Sequence, residues 1–170
     1  QYYWALAKCL EIEPVIQKHI EIMDKYDSRK RVALMLDEWG TWWDEEPGTI
    51  RGHLYQQNTM RDAFVAALTL NVFHKYTDRL KMANIAQIAN VLQSMILTKD
   101  DKMVLTPTYH VFRMYNVHQD AIFIPTTCDS EKFTDSNGRQ CPYVDVTASH
   151  DSNGRLHITL TNTSLEKGAD

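Results

Sequence analysis

Apolar and polar positions divide this chain into two textures. In the first, apolar residues recur at helical spacing: Trp4, Ala7 and Leu10, then Val15, Ile16, Ile20, Met23 and Tyr26. Pro14 lies between the two sets and predicts a kink or a fresh helix start. Asp27-Ser28 reads as the exit loop. Val32–Leu36 is an apolar run without alternation, which suits a strand buried on both faces of a parallel sheet. Beyond the polar stretch Asp44–Gly48, residues Met60, Ala63, Phe64, Ala67, Leu68, Asn71, Val72 and Lys75 mark one face of a helix. That helix should run from about Asn58, its cap, to Tyr76. Leu80–Ala86 is a second short strand, Ile88–Leu97 reads as a short helix, and Thr106–Tyr115 as another opened by Pro107. Residues 1–119 therefore alternate helix, strand, helix, strand, helix, the order of βαβ units around a parallel sheet.

Past Asp120 the period shortens to two. Ala121–Ile124 is a short strand, and Val144, Val146, Ala148 and Leu156, Ile158, Leu160 alternate with polar neighbours. This predicts antiparallel β structure with one wet face over residues 120–170. The pentapeptide DSNGR occurs at Asp135–Arg139 and again at Asp151–Arg155. It lacks the ligand series of a calcium loop and reads as a turn. A two-residue Asn153-Gly154 turn would set even apolar positions against odd polar ones. A three-residue loop, Ser152-Asn153-Gly154, pairs Ala148 with Ile158 and Val146 with Leu160. The register thus predicts the bulged hairpin with Gly154 left-handed.

With 170 residues and 44% apolar content, the chain can bury a sizeable core. Its net charge of -4 is spread among mixed signs, without the basic patch of a nucleic-acid partner. No apolar run approaches the roughly 20 residues of a membrane span. Cys9, Cys128 and Cys141 show no metal-ligand spacing. Their odd number argues against a full disulfide framework, leaving free thiols or a Cys128–Cys141 bridge. No metal or cofactor is implied. His74 and Asp78-Arg79 read as structural residues at a helix exit, and Tyr109-His110 as packing. His53 reads as either surface polar or part of a substrate entrance.

The densest chemistry lies in RVALMLDEWGTWWDEEPG, Arg31–Gly48. Its apolar run ends in Asp37-Glu38, followed by Trp39, Trp42 and Trp43. In parallel α/β barrels the catalytic groups sit at the C-terminal ends of strands. Successive strand residues point to opposite faces, so only one of the two carboxylates turns easily to a central pocket. The tryptophans offer flat apolar surfaces that suit sugar rings. The plain alternative is an acidic loop start beside core tryptophans.

DEWGTWW, LYQQNTMRDAFVAALTLNVFHK, DRLKMANIAQIANVLQ and LTPTYHVFRMY together resemble glycoside hydrolase family 51, the α-L-arabinofuranosidases. The resemblance covers about residues 2–125 and continues more weakly into the β segment. It implies the last two β/α units of a (β/α)8 TIM barrel over residues 1–119, then the beginning of an antiparallel β-sandwich over 120–170. It implies that Glu38 is the nucleophile on the seventh barrel strand and that Leu80–Ala86 is the eighth strand. Gln87 matches the glutamine that hydrogen-bonds the arabinofuranose, and Trp42 the aromatic near the sugar. The implied substrate is an arabinose-containing oligo- or polysaccharide, and the resemblance extends to homo-oligomeric assembly of the whole enzyme. Retaining glycosidases need a second carboxyl group about 5–5.5 Å away as acid and base. In the family it follows an asparagine on the fourth strand, and this chain contains no Asn-Glu pair. The expectation is that the chain is the C-terminal part of such an enzyme and inactive alone. The other readings are a retaining glycosidase of different specificity and a non-catalytic carbohydrate-binding or assembly module.

Overall fold

The computed structural model describes residues 1–169. Two helices open it, α1 (Tyr2–Cys9) and α2 (Ile12–Tyr26). Pro14 stands in the first turn of α2, where its missing N–H leaves no intrahelical bond unmade. Strand β1 (Leu34–Trp39), helix α3 (Met60–His74) and strand β2 (Leu80–Ile85) form a βαβ unit with the strands parallel. A hairpin follows, β3 (Ile96–Lys99) and β4 (Lys102–Leu105), then α4 (Pro107–Tyr115) and a short 3₁₀ turn, Asn116–His118. The alternation read from the pattern is present, with the hairpin as an addition.

Five local expectations need correction. β1 begins later than the apolar run and carries Asp37 and Glu38 inside it. It is not buried on both faces: Leu34 and Leu36 pack against the core, while Met35 and Met82 are 48% and 41% exposed. Helices α2, α3 and α4 supply a single layer, so only one face of the pair is covered. The cap of α3 is Thr59, not Asn58; Thr59 and Asp62 form a reciprocal capping box. Asn58 instead directs Nδ2 to the carbonyls of Gln56 and Leu92. Residues 88–97 are not helical, because Asn90 and Leu92 take positive φ values of 60° and 50°. The Asn90 side chain clamps Thr98 through both its backbone N–H and its hydroxyl, which starts the β3–β4 hairpin. Helix α3 is buried nearly all round rather than along one stripe, since it packs against α1, α4 and the β segment.

Arg79 holds the N-terminal ends of both strands. Its side chain is fully buried, and it immediately precedes β2. Nη1 donates to Asp27 Oδ2 at 2.9 Å and to the Val32 carbonyl at 2.8 Å. Nη2 donates to the Asp27 carbonyl at 2.9 Å and pairs with Asp24. Its own carbonyl accepts from Leu34 N–H at 2.8 Å, at the first residue of β1. The Asp27 carboxyl is held below its usual range, first by the Val32 N–H and then by the Arg79 guanidinium.

The remaining strands are β5 (Ile122–Ile124), β6 (Lys132–Thr134), β7 (Gln140–Pro142), β8 (Val144–His150) and β9 (Leu156–Asn162). They form a sheet of order β5-β8-β9 and a separate β6-β7 ribbon. The β8–β9 register is the one the alternation demands: Val146 faces Leu160 and Ala148 faces Ile158. Gly154 has φ +76°, and Asp151 N–H donates to the Arg155 carbonyl at 3.0 Å across the three-residue loop. Both DSNGR copies fold alike. Asp135 Oδ1 accepts from Asn137 N–H and Arg139 N–H, and Asp151 Oδ1 accepts from Asn153 N–H and Arg155 N–H.

Along β9 the exposed residues are the apolar ones. Leu156, Ile158 and Leu160 are 58–67% exposed, while Thr147, Ser149 and Thr161 are buried. The buried hydroxyls are matched by polar groups of the helical layer. His74 Nδ1 lies 2.9 Å from Thr147 Oγ1, and His118 bridges Ser149 Oγ and Thr159 Oγ1 at 2.7 and 2.8 Å. Tyr115 donates to Asn71 Oδ1 at 2.7 Å, and Asn71 donates to Asp145 Oδ2 at 2.9 Å. Burying polar groups costs little once each has a partner.

The His74 and His118 rings lie 5.1 Å apart in this interface. Burial, and then the neighbouring His118, push the His74 pKa down to about 4. His118 is shifted the same way, by burial first and His157 second. Both groups are therefore neutral in the fold where the unfolded chain would protonate them. Stability is full above about pH 6.5 and falls as the pH drops towards 4. Thermal melts should show Tm lower by about 5 °C at pH 5 than at pH 7. A His74→Gln variant should lose much of that difference.

Candidate active site

Because β1 and β2 are parallel, their C-terminal ends lie side by side. Ala86 N–H donates to the Trp39 carbonyl at 2.8 Å, pairing the last turn of each strand. Glu38 stands one residue before this bond and Gln87 one residue after it, so both positions lie at the same end of the strand pair. Both are exposed, as is Asp37. Trp42 sits on the loop leaving β1 and is 67% exposed. The side-chain hydrogen bonds of this loop run to Gln56, Asp62 and Gln93.

The three tryptophans have three different environments. Trp39 is core, 9% exposed, with its ring edge-on to Phe73 at 5.1 Å and stacked on Phe112 at 6.1 Å. Trp43 is clamped: the Arg61 guanidinium lies 3.9 Å over its ring, and its indole N–H donates to Asp62 Oδ1 at 2.8 Å. Only Trp42 is left with an open face.

Three buried side chains support the loop. Gln56, Asp62 and Gln93 are 1%, 0% and 0% exposed. Gln93 Oε1 accepts from Thr41 N–H at 2.8 Å, while its Nε2 donates to the Asp62 carbonyl and to Thr108 Oγ1. Gln56 Oε1 accepts from Trp43 N–H at 2.8 Å. Asp62 Oδ1 accepts from the Thr41 hydroxyl at 2.9 Å, and its Oδ2 accepts from Thr59 N–H at 2.8 Å. The spacing Thr59-x-x-Asp62 is a capping-box signature legible in the sequence. Gln56 and Gln93 carry no comparable signal, since buried amides find partners far away in the chain.

Other expected residues are less engaged. Glu45 is a turn brace, accepting from Gly52 N–H and Leu54 N–H at 2.7 and 2.8 Å. His53 lies exposed in that turn. The three cysteines are free thiols. Tyr109 lines a groove of about 670 Å³ between α3, β2 and α4 with Phe73, Met82 and Phe112. Glu38, Trp42 and Gln87 do not line that groove.

Gly40 joins strand to loop at φ +134°, and a Cβ there would lie 3.3 Å from both Gln93 Oε1 and Ile85 Cδ1. Gly40→Ala should therefore destabilise the chain by about 1–3 kcal/mol in urea titrations. Equal stability would show that the bend tolerates an ordinary residue.

The chain was compared with known proteins. Residues 37–169 match the family model described as α-L-arabinofuranosidase C-terminal domain. An intracellular exo-α-L-arabinofuranosidase of Bacteroides ovatus is 64% identical over 99% of this chain and 33% of its own length. The crystal structure of the GH51 arabinofuranosidase from Xanthomonas axonopodis pv. citri superposes with TM-score 0.91 at 48% identity, over 95% of this chain and 33% of that one. The α-L-arabinofuranosidase from Thermotoga maritima, solved as an arabinose complex, gives TM-score 0.77 at 26% identity, over 95% and 35%. The chain thus spans about a third of the length of these relatives. The mixture of helices and small sheets is that of family 51 arabinofuranosidase structures, and the chain belongs to the α-L-arabinofuranosidase C-terminal domain family.

Proposed function

We propose that this chain supplies the nucleophile side of the active site of a retaining α-L-arabinofuranosidase acting on terminal arabinofuranosides of arabinan- or arabinoxylan-type glycans. The observation that carries the reading is the placement of Glu38 and Gln87 at the adjoining C-terminal ends of parallel β1 and β2, in a chain of this family. On this reading residues 1–119 are the last two β/α units of a (β/α)8 barrel, and the open Met35–Met82 face looks into the barrel. Residues 120–170 begin a β-sandwich, whose second layer covers Leu156, Ile158 and Leu160.

Glu38 stands exposed near the end of β1, open to a sugar from the solvent side. A carboxylate oxygen of Glu38 bonds to the anomeric carbon as the glycosidic C–O bond breaks. The electron pair goes to the leaving oxygen, which takes a proton from a second carboxyl group. Water activated by that group then displaces Glu38. Gln87 donates an amide N–H to a sugar hydroxyl, and Trp42 packs its open face against the ring. The second carboxyl group comes from outside these 170 residues, so this chain alone turns over slowly or not at all.

In the complete enzyme, Glu38→Ala should cut turnover of 4-nitrophenyl α-L-arabinofuranoside by about 10³-fold or more. Added azide should restore part of the rate and give the inverted β-arabinofuranosyl azide. Full activity in Glu38→Ala would remove Glu38 as nucleophile.

A further inference from the structure

Resting on that reading, we propose that Asp62 and Gln93 are positioning residues that act through Trp42. The residues on either side of Trp42 are both tied down. Thr41 gives its N–H to Gln93 and its hydroxyl to Asp62, while Trp43 gives its indole N–H to Asp62 and its main-chain N–H to Gln56. Trp42 stands between these four bonds with 67% of its surface open.

The arrangement is more than ordinary loop anchoring. A buried carboxylate and two buried carboxamides are expensive unless satisfied, and apolar packing could fill the same space. What the polar set adds is direction. Each bond fixes both the distance and the orientation of a loop atom, which apolar contact does not. Asp62 also caps α3 through Oδ2 while holding the loop through Oδ1, so the loop is referenced to the most buried helix. Gln93 links the segment following β2 to the same loop and to the first turn of α3. The site's exposed aromatic is thereby held by elements on both sides.

The test is a double-mutant cycle in the complete enzyme. Thr41→Val with Trp43→Phe removes the hydroxyl and indole donors to Asp62. It keeps the cap on α3 and the Arg61 contact, so the fold should survive, which circular dichroism checks. With 4-nitrophenyl α-L-arabinofuranoside, this pair should lower kcat/KM about tenfold or more in the native background. In a Trp42→Ala background the same pair should lower it less than twofold, because the positioned group is already gone. Equal losses in both backgrounds would overturn the proposal and leave a stability role alone. No loss in the native background would overturn it as well. Glu38→Ala run in parallel separates the two ideas. If Glu38→Ala remains active, the nucleophile reading and this inference fail together; if it is dead and the cycle is additive, only the inference fails.

Discussion

A fully buried carboxylate organises the functional end of this molecule. Asp62 receives the Thr41 hydroxyl and the Trp43 indole on one oxygen, and the Thr59 amide and hydroxyl on the other. Arg61 lies 3.3 Å from both oxygens and covers the Trp43 ring. An unpartnered carboxylate at this depth would cost several kcal/mol, a cost that these hydrogen bonds and the Arg61 guanidinium offset together. The carboxylate holds the loop by its side chains, while Gln93 and Gln56 hold it by the Thr41 and Trp43 amides. The start of α3 and the bend after β1 are thereby one structural unit.

The other end of the strand pair is governed by a buried charge of opposite sign. Arg79 gathers Asp24, Asp27 and the carbonyls of Asp27 and Val32, which sets where β1 and β2 begin. Arg79 holds the start of β1, and Asp62 holds the Thr41–Trp43 loop that leaves its far end. Glu38 rides on that strand rather than on a loop. A nucleophile must be held within about 0.5 Å of its working geometry, which a strand held at its start and at the loop beyond its end can do.

Periodic features were legible before any coordinates. The βαβ unit, the Pro14 restart, the Thr106–Pro107 helix entry and the β8–β9 register all follow from local spacing and turn chemistry. The roles expected of Glu38 and Gln87 came instead from the family resemblance, not from spacing. What escaped depends on tertiary partners. Alternation predicted which residues share a face of β8–β9 but not which face is covered, because His74, His118 and Tyr115 arrive from elsewhere to meet the hydroxyls. Residues 88–97 carry a helix-like apolar pattern, yet the Asn90 clamp on Thr98 overrides it. The cluster Trp39, Trp42 and Trp43 could not be divided by sequence into core, clamp and open face. Gln56 and Gln93 gave no sign, since a buried amide looks like any surface amide in one dimension.

Covalent trapping tests the central claim most directly. The complete enzyme would be incubated with a 2-fluoro-arabinofuranoside bearing a very good leaving group, and the adduct mapped by peptide mass spectrometry. The account predicts one added fluoroarabinosyl group, on Glu38. A label on another carboxylate, or turnover with inversion and no adduct, would contradict it.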